Sequence, residues 1–239
     1  MTPSNSAELF VVSGISLGLT SHVYHELQTL LPERFPDRTF KFVGNPFKGW
    51  QHPLLWGETE RDLHSCSRLL KCWTPLCELV CKEVSPALDR GDIVVTQRLG
   101  FDAVLYAISR MPSDAIDEEH ERSIRRENDQ AEGLHHHGIV HGVVKQNLKS
   151  LPWYFIPCAR PEAITRDWIK RSHLLQEVEP EKLSAFVEYE QAAMNRYFHP
   201  NNGQNPPTYL DASLSVADMC ETAMARMAEL LQPKQLQFA

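Results

Sequence analysis

The chain has 239 residues, 42% of them hydrophobic and 23% charged, a balance that gives a globular domain its own core and excludes a mainly disordered chain. A formal net charge of −7 provides no overall basic field for nucleic acid or an anionic membrane, so neither is expected as a partner. No apolar run reaches the roughly 18 residues of a membrane-spanning helix, and the opening Met1-Thr2-Pro3-Ser4-Asn5-Ser6 lacks the basic and apolar blocks of a secretory signal, so a cytoplasmic protein of one domain, residues 1–239, is expected.

The first element is the apolar run Leu9–Ser13, a buried strand entering the glycine turn Gly14-Ile15-Ser16-Leu17-Gly18. A helix follows from Thr20, with Val23, Leu27, Leu30 and Leu31 on one face and Pro32 as its stop. Phe40–Val43 reads as a second strand, closed by Gly44-Asn45-Pro46 and followed by an aromatic loop with Trp50 and Trp56. Glu60–Leu70 and Leu76–Leu88 read as two helices separated near Pro75. Arg90-Gly91-Asp92 makes a turn into the strand Ile93–Thr96, and Phe101–Ile108 resumes helix. Pro112–Glu132 is dense in charge and reads as solvent-exposed, with Asp114–Glu121 followed by Arg122, Arg125 and Arg126 in the manner of i, i+4 pairs on a helix. Trp153–Ile156 is a further strand, Thr165–Arg171 begins a basic helix, and Lys182–Phe198 is amphipathic. Tyr209–Asp211 is the last strand and Val216–Leu231 the last helix. Short apolar strands alternating with longer helices predict an α/β fold, a parallel β-sheet flanked by helices on both faces.

Six cysteines occur, four of them between Cys66 and Cys81, with no C-x-x-C pair, so a zinc site is not indicated. Cys77 and Cys81 at i, i+4 read as small core residues, in keeping with a reducing compartment. His135, His136, His137 and His141, with His120 upstream, leave two readings open: a metal site, or a loop cluster without one.

A glycine turn between a strand and a helix directs backbone N–H groups at a common point, the setting for phosphate binding. Here Ser13-Gly14-Ile15-Ser16-Leu17-Gly18-Leu19-Thr20-Ser21 lacks the lysine of G-x-x-x-x-G-K-[ST] in either register: counting from Gly14 the lysine position is Thr20, and counting back from Gly18 it is Leu19.

Taken with four further stretches, this loop resembles the thymidylate kinase family of P-loop nucleoside monophosphate kinases. Leu9–Ser21 matches its first strand and P-loop, and Gly44-Asn45-Pro46 falls where the family has an acidic-Pro-Gly turn. Ser85-Pro86-Ala87-Leu88 through Ile93-Val94-Val95 follows the family's Pro-Ala-Leu, Gly, Val-Ile stretch. Gln97-Arg98-Leu99 with Tyr106 matches Asp-Arg-Tyr … Ala-Tyr-Gln, and Tyr209-Leu210-Asp211-Ala212 matches the closing Ile-Asp-Ala.

The resemblance implies a P-loop kinase-like fold with a small lid at about 160–182, a charged insertion at about 112–150, and ATP with Mg2+ as cofactors. It implies phosphoryl transfer from ATP to a pyrimidine (deoxy)nucleoside monophosphate. Gly14, Ser16, Gly18, Thr20 and Ser21 would hold the triphosphate, with Thr20 or Ser21 on the metal. Asn45, Phe47, Gln97 and Tyr106 would receive the acceptor nucleotide, and Arg98, Arg166 and Arg171, with Lys170, would neutralise the transferring group. The family commonly dimerises through helices flanking the sheet, so a homodimer is among the expected states.

The chain departs from that pattern where charge matters. The P-loop lysine is missing, the acid before Arg98 is Gln97, Leu76 stands where an arginine is usual, Asp102 does not match, and Trp153 and Pro157 stand for two acids beside the lid strand. Such losses open two further readings. One is a catalytically impaired pseudokinase acting as a regulatory or protein-interaction module, with Trp50, Trp56 and Trp73 as contact residues. The other is a kinase that recruits a lysine from elsewhere, such as Lys41 or Lys48.

Overall fold

A computed structural model of the chain describes residues 7–14, 19–47, 64–108, 122–123, 126–131, 148, 151–158, 188, 191–200 and 203–232. Five strands form one sheet: β1 (Leu9–Val12), β2 (Phe40–Val43), β3 (Ile93–Gln97), β4 (Trp153–Cys158) and β5 (Thr208–Asp211). Their order across the sheet is β2-β3-β1-β4-β5 and every pairing is parallel. The α/β class and the parallel sheet read from the sequence are therefore present. Three central strands are apolar at nearly every position because both of their faces are covered, the usual condition of a parallel sheet.

Alternation along the strands sorts the core into two layers. Phe10, Val12, Ile93, Val95, Phe155 and Leu210 point to one face, where they meet α1 (Leu19–Arg34) and the C-terminal helix. Leu9, Val11, Val43, Val94, Tyr154 and Ile156 point to the other, where they meet α2 (Ser65–Leu79), its continuation and α4 (Gly100–Ile108). Between those two helices, a π-helical segment Val80–Val84 leads into the short α3 (Ser85–Asp89). The last helix is α5 (Val216–Leu230), capped by Ser215, whose hydroxyl accepts from the Asp218 N–H.

Several boundaries differ from the sequence reading, each for a local reason. Pro32 does not stop α1, which runs on to Arg34; near a fraying end the ring's fixed φ suits the helix and its missing N–H removes a single bond. Nor does Pro75 mark a break between helices. It sits inside α2, because Leu69, Cys72, Trp73, Leu76, Val80 and Val84 make one buried stripe whose packing outweighs the local penalty. Residues 126–131 are not simply exposed: Asn128 and Ala131 are buried, and the Asn128 Oδ1 accepts from the Ser65 hydroxyl at 2.8 Å. Trp73 is a core residue, and of the cysteine pair expected in the core, Cys81 is exposed and Cys77 half-buried. The π-helical turn shifts the i, i+4 register between them.

Replacing Pro75 by alanine restores the N–H that would bond the Lys71 carbonyl and removes the ring's clash with it. Pro75→Ala is expected to raise unfolding free energy by about 1–2 kcal/mol, the helix gain exceeding the proline's entropic benefit in the unfolded chain. A urea titration checks this, and a loss of stability would mean that packing of the half-buried ring matters more than the backbone bond.

No described helix is long and apolar enough to cross a membrane. The lid, Trp50, Trp56, Lys48 and the histidine cluster His135–His141 lie outside the described residues.

Candidate functional site

β3 inserts between β1 and β2, although it follows both in the chain. The carboxyl ends of β1 and β3 are thereby made neighbours, with Val12 opposite Gln97. The helix after β1 lies on one face of the sheet and the helix after β3 on the other, so the chain diverges here, at the switch point where open α/β sheets have their crevice. Ligands of open α/β sheets bind at such switch points.

Four segments meet at the crevice. From the end of β1 come Ser13 and Gly14; from the start of α1, Thr20 and Ser21; from the end of β3, Gln97 and Arg98; and from the start of α4, Leu99 and Asp102. The Arg98 N–H donates to the Val12 carbonyl at 2.9 Å, continuing the β1–β3 ladder one residue past the strand. Gly14 holds φ 115°, a conformation that favours glycine, and Arg98 holds φ 70°. A non-glycine residue in the left-handed region costs of order 1 kcal/mol and persists where its surroundings hold it.

Asp102 holds Arg98 there. Its carboxylate is fully buried and accepts from four donors: the Ser13 hydroxyl at 2.8 Å, the Gly14 N–H at 3.2 Å, the Leu99 N–H at 2.8 Å and the Arg98 Nη1 at 3.0 Å. Arg98 Nη1 also donates to the Gly14 carbonyl at 2.9 Å, and its side chain is 7% exposed. The Gly14 carbonyl takes a further bond from the Thr20 hydroxyl at 2.9 Å, which fastens the start of α1 to the end of β1. Opposite, Gln97 Nε2 donates to the Ser21 hydroxyl at 2.6 Å.

The expected site residues fall as follows. Gly14, Thr20, Ser21, Gln97 and Arg98 come together at the crevice, bonded to one another or through Asp102. Thr20 is fully buried, so of the two hydroxyls only that of Ser21 lies at partly exposed surface. Asn45 makes a turn at the end of β2, its Oδ1 accepting from the Phe47 N–H at 2.8 Å. Phe47 itself is 1% exposed and packs in the core beside α2 and α4. Tyr106 lies in α4. Ser16, Gly18, Arg166, Lys170 and Arg171 lie outside the described residues. Lys41 is no substitute for the missing lysine: it stands in the edge strand β2 and pairs with Glu83 at 3.2 Å, with β3 between it and the loop.

Sequence reasoning missed the role of Asp102. The available signal was its i, i+4 separation from Arg98, a common spacing for an ion pair.

Behind Asp102, Phe101, Tyr154, Tyr197 and Phe198 form an aromatic cluster, with ring centroids between 4.8 and 6.4 Å apart. Burial pushes both phenols well above their ordinary range, and the Asp102 charge adds to it. Burial likewise pushes the Cys72 thiol up to about 12, with Arg68 opposing and Asp102 reinforcing.

Magnesium fits this crevice poorly as a protein-held ion. It takes hard oxygen ligands in an octahedron, normally including a carboxylate. Among the described residues, the one carboxylate that reaches these groups is Asp102, and four donors fill its roughly four lone-pair positions. Gln97 presents an amide where a second acid would stand.

No protein-family model matches the chain, and no curated protein matches it.

Proposed function

We propose that this chain is a thymidylate-kinase-like nucleotide-binding protein in which phosphoryl transfer is impaired, so that it acts as a pseudokinase, a regulatory or interaction module. One observation carries the reading: at the crevice between β1 and β3, Arg98 turns its Nη1 inward, donating to the Asp102 carboxylate and to the Gly14 carbonyl. It is a fixed component of the loop, and Leu19 and Thr20 supply no lysine beside it.

Phosphoryl transfer depends on positioned charge around the moving group, and each such donor removed costs about 2.7–4 kcal/mol of transition-state stabilisation. Binding asks for less, since a glycine turn and a helix start provide N–H groups without any side-chain cation. Active transfer to a pyrimidine nucleotide is the second reading. Arg98 at φ 70° favours it, because backbone strain of this kind gathers where a site needs a group in one place. Six free cysteines suit a reducing, cytoplasmic setting, and the acidic balance suits a nucleotide or protein partner better than nucleic acid.

Thermal-shift titration with ATP, ADP and dTMP, with magnesium present, tests the binding half. The midpoint is expected to rise with ligand concentration for at least one of them. A coupled ADP-release assay over a nucleotide panel tests the other half and is expected to show no turnover. Turnover abolished by Arg98→Ala would establish the second reading instead, and no response to any nucleotide would overturn both.

A further inference from the structure

Resting on that nucleotide-binding reading, we infer that the crevice takes its di- or triphosphate as the free anion, with no divalent cation held by the protein. The argument is one of donor chemistry. A metal held here needs a carboxylate oxygen facing the ligand beside the α1 hydroxyls. At position 97, next to Ser21, the chain carries an amide whose Nε2 donates to the Ser21 hydroxyl at 2.6 Å, so a hydrogen-bond donor stands where an anionic ligand would be needed.

Among the described residues, the carboxylate bonded to these groups is that of Asp102, in the first turn of α4, and it faces inward. It is fully buried, and its acceptor positions are occupied by Ser13, Gly14, Leu99 and Arg98. Its charge is balanced by Arg98, also buried, so the pair is an internal brace of the loop. Releasing that carboxylate to a metal would take it from the buried Arg98 Nη1 and leave two backbone N–H groups without their acceptor, which opposes metal binding at this place.

The test is calorimetric titration of the full chain with ADP and with ATP, each in excess magnesium and in EDTA, on the natural sequence and on Gln97→Asp. The natural chain is expected to bind with affinities that agree within about twofold between the two buffers. Gln97→Asp places a carboxylate beside Ser21 and is expected to bind about tenfold more tightly with magnesium than with EDTA. A tenfold loss in EDTA for the natural chain would overturn the inference, as would a Gln97→Asp variant, folded by circular dichroism, that shows no metal preference. If that variant does not fold, the two buffers on the natural chain decide the matter alone. Absence of binding in both buffers would instead remove the nucleotide reading, and the inference with it.

Discussion

Asp102→Ala is expected to lower the unfolding free energy by about 3–5 kcal/mol, the range for removing one partner of a buried ion pair. The substitution takes the Asp102 carboxylate from the Arg98 guanidinium, 7% exposed, and strips an acceptor from the Ser13 hydroxyl and from the Gly14 and Leu99 N–H groups. The Gly14 and Leu99 N–H groups cannot turn to water without moving backbone. A urea titration reads the effect as a lower midpoint at unchanged slope. Arg98→Met in the same chain is expected to recover some of the loss, since removing both charges leaves no uncompensated ion in the interior. A loss below about 1 kcal/mol for Asp102→Ala would mean that water reaches the pair, at the level of a surface salt bridge. The same variant should weaken nucleotide binding, because the Gly14 turn and Arg98 are held by the group it removes.

How much of this was legible in the residues depends on the range of the interaction. The strands were legible because each is a short apolar run between turn residues, and Gly91 at φ 85° ends α3 where Arg90-Gly91-Asp92 predicted a turn. Helix ends at prolines were not, since Pro32 and Pro75 sit within helices that tertiary packing sustains. Strand order was beyond local pattern altogether: nothing in Ile93–Gln97 says that it will lie between β1 and β2. Yet that insertion makes the site, because it brings Gln97 and Arg98 against Gly14 and Ser21. Asp102 shows the same limit. Its four donors include Ser13 and Gly14, 89 and 88 residues away, and no window of sequence joins them. Gln97 was legible as a departure and Asp102 as a mismatch, but that the one carboxylate braces a loop lacking the other follows only from the three-dimensional arrangement.

Alkaline pH is expected to unfold the domain well before its arginines titrate, with stability falling from about pH 9 upward. Burial pushes the Cys72 and Cys220 thiols from 9.0 up to about 12, and the Tyr24 phenol from 10.0 up to about 12. Burial raises Tyr154 and Tyr197 as well, beside the charge of Asp102. Each of these groups is neutral when protonated, so a raised folded-state value means that the folded chain keeps its proton where the unfolded chain has lost it. Their contribution is whole below the unfolded values and is lost as pH climbs from there toward the folded ones. The thiols act first, from about 9, and the phenols join from about 10, each adding a slope of about 1 kcal/mol per pH unit. Urea midpoints between about pH 8 and 11 should therefore fall, and steepen past about 10. Cys72→Ala with Cys220→Ala should flatten the first stage and leave the second, which separates the thiols from the tyrosines of the two core layers. Midpoints unchanged up to about pH 11 would mean that these side chains meet water in the folded protein, and the packing of α2 and α5 on the sheet would then have to be looser than their burial implies.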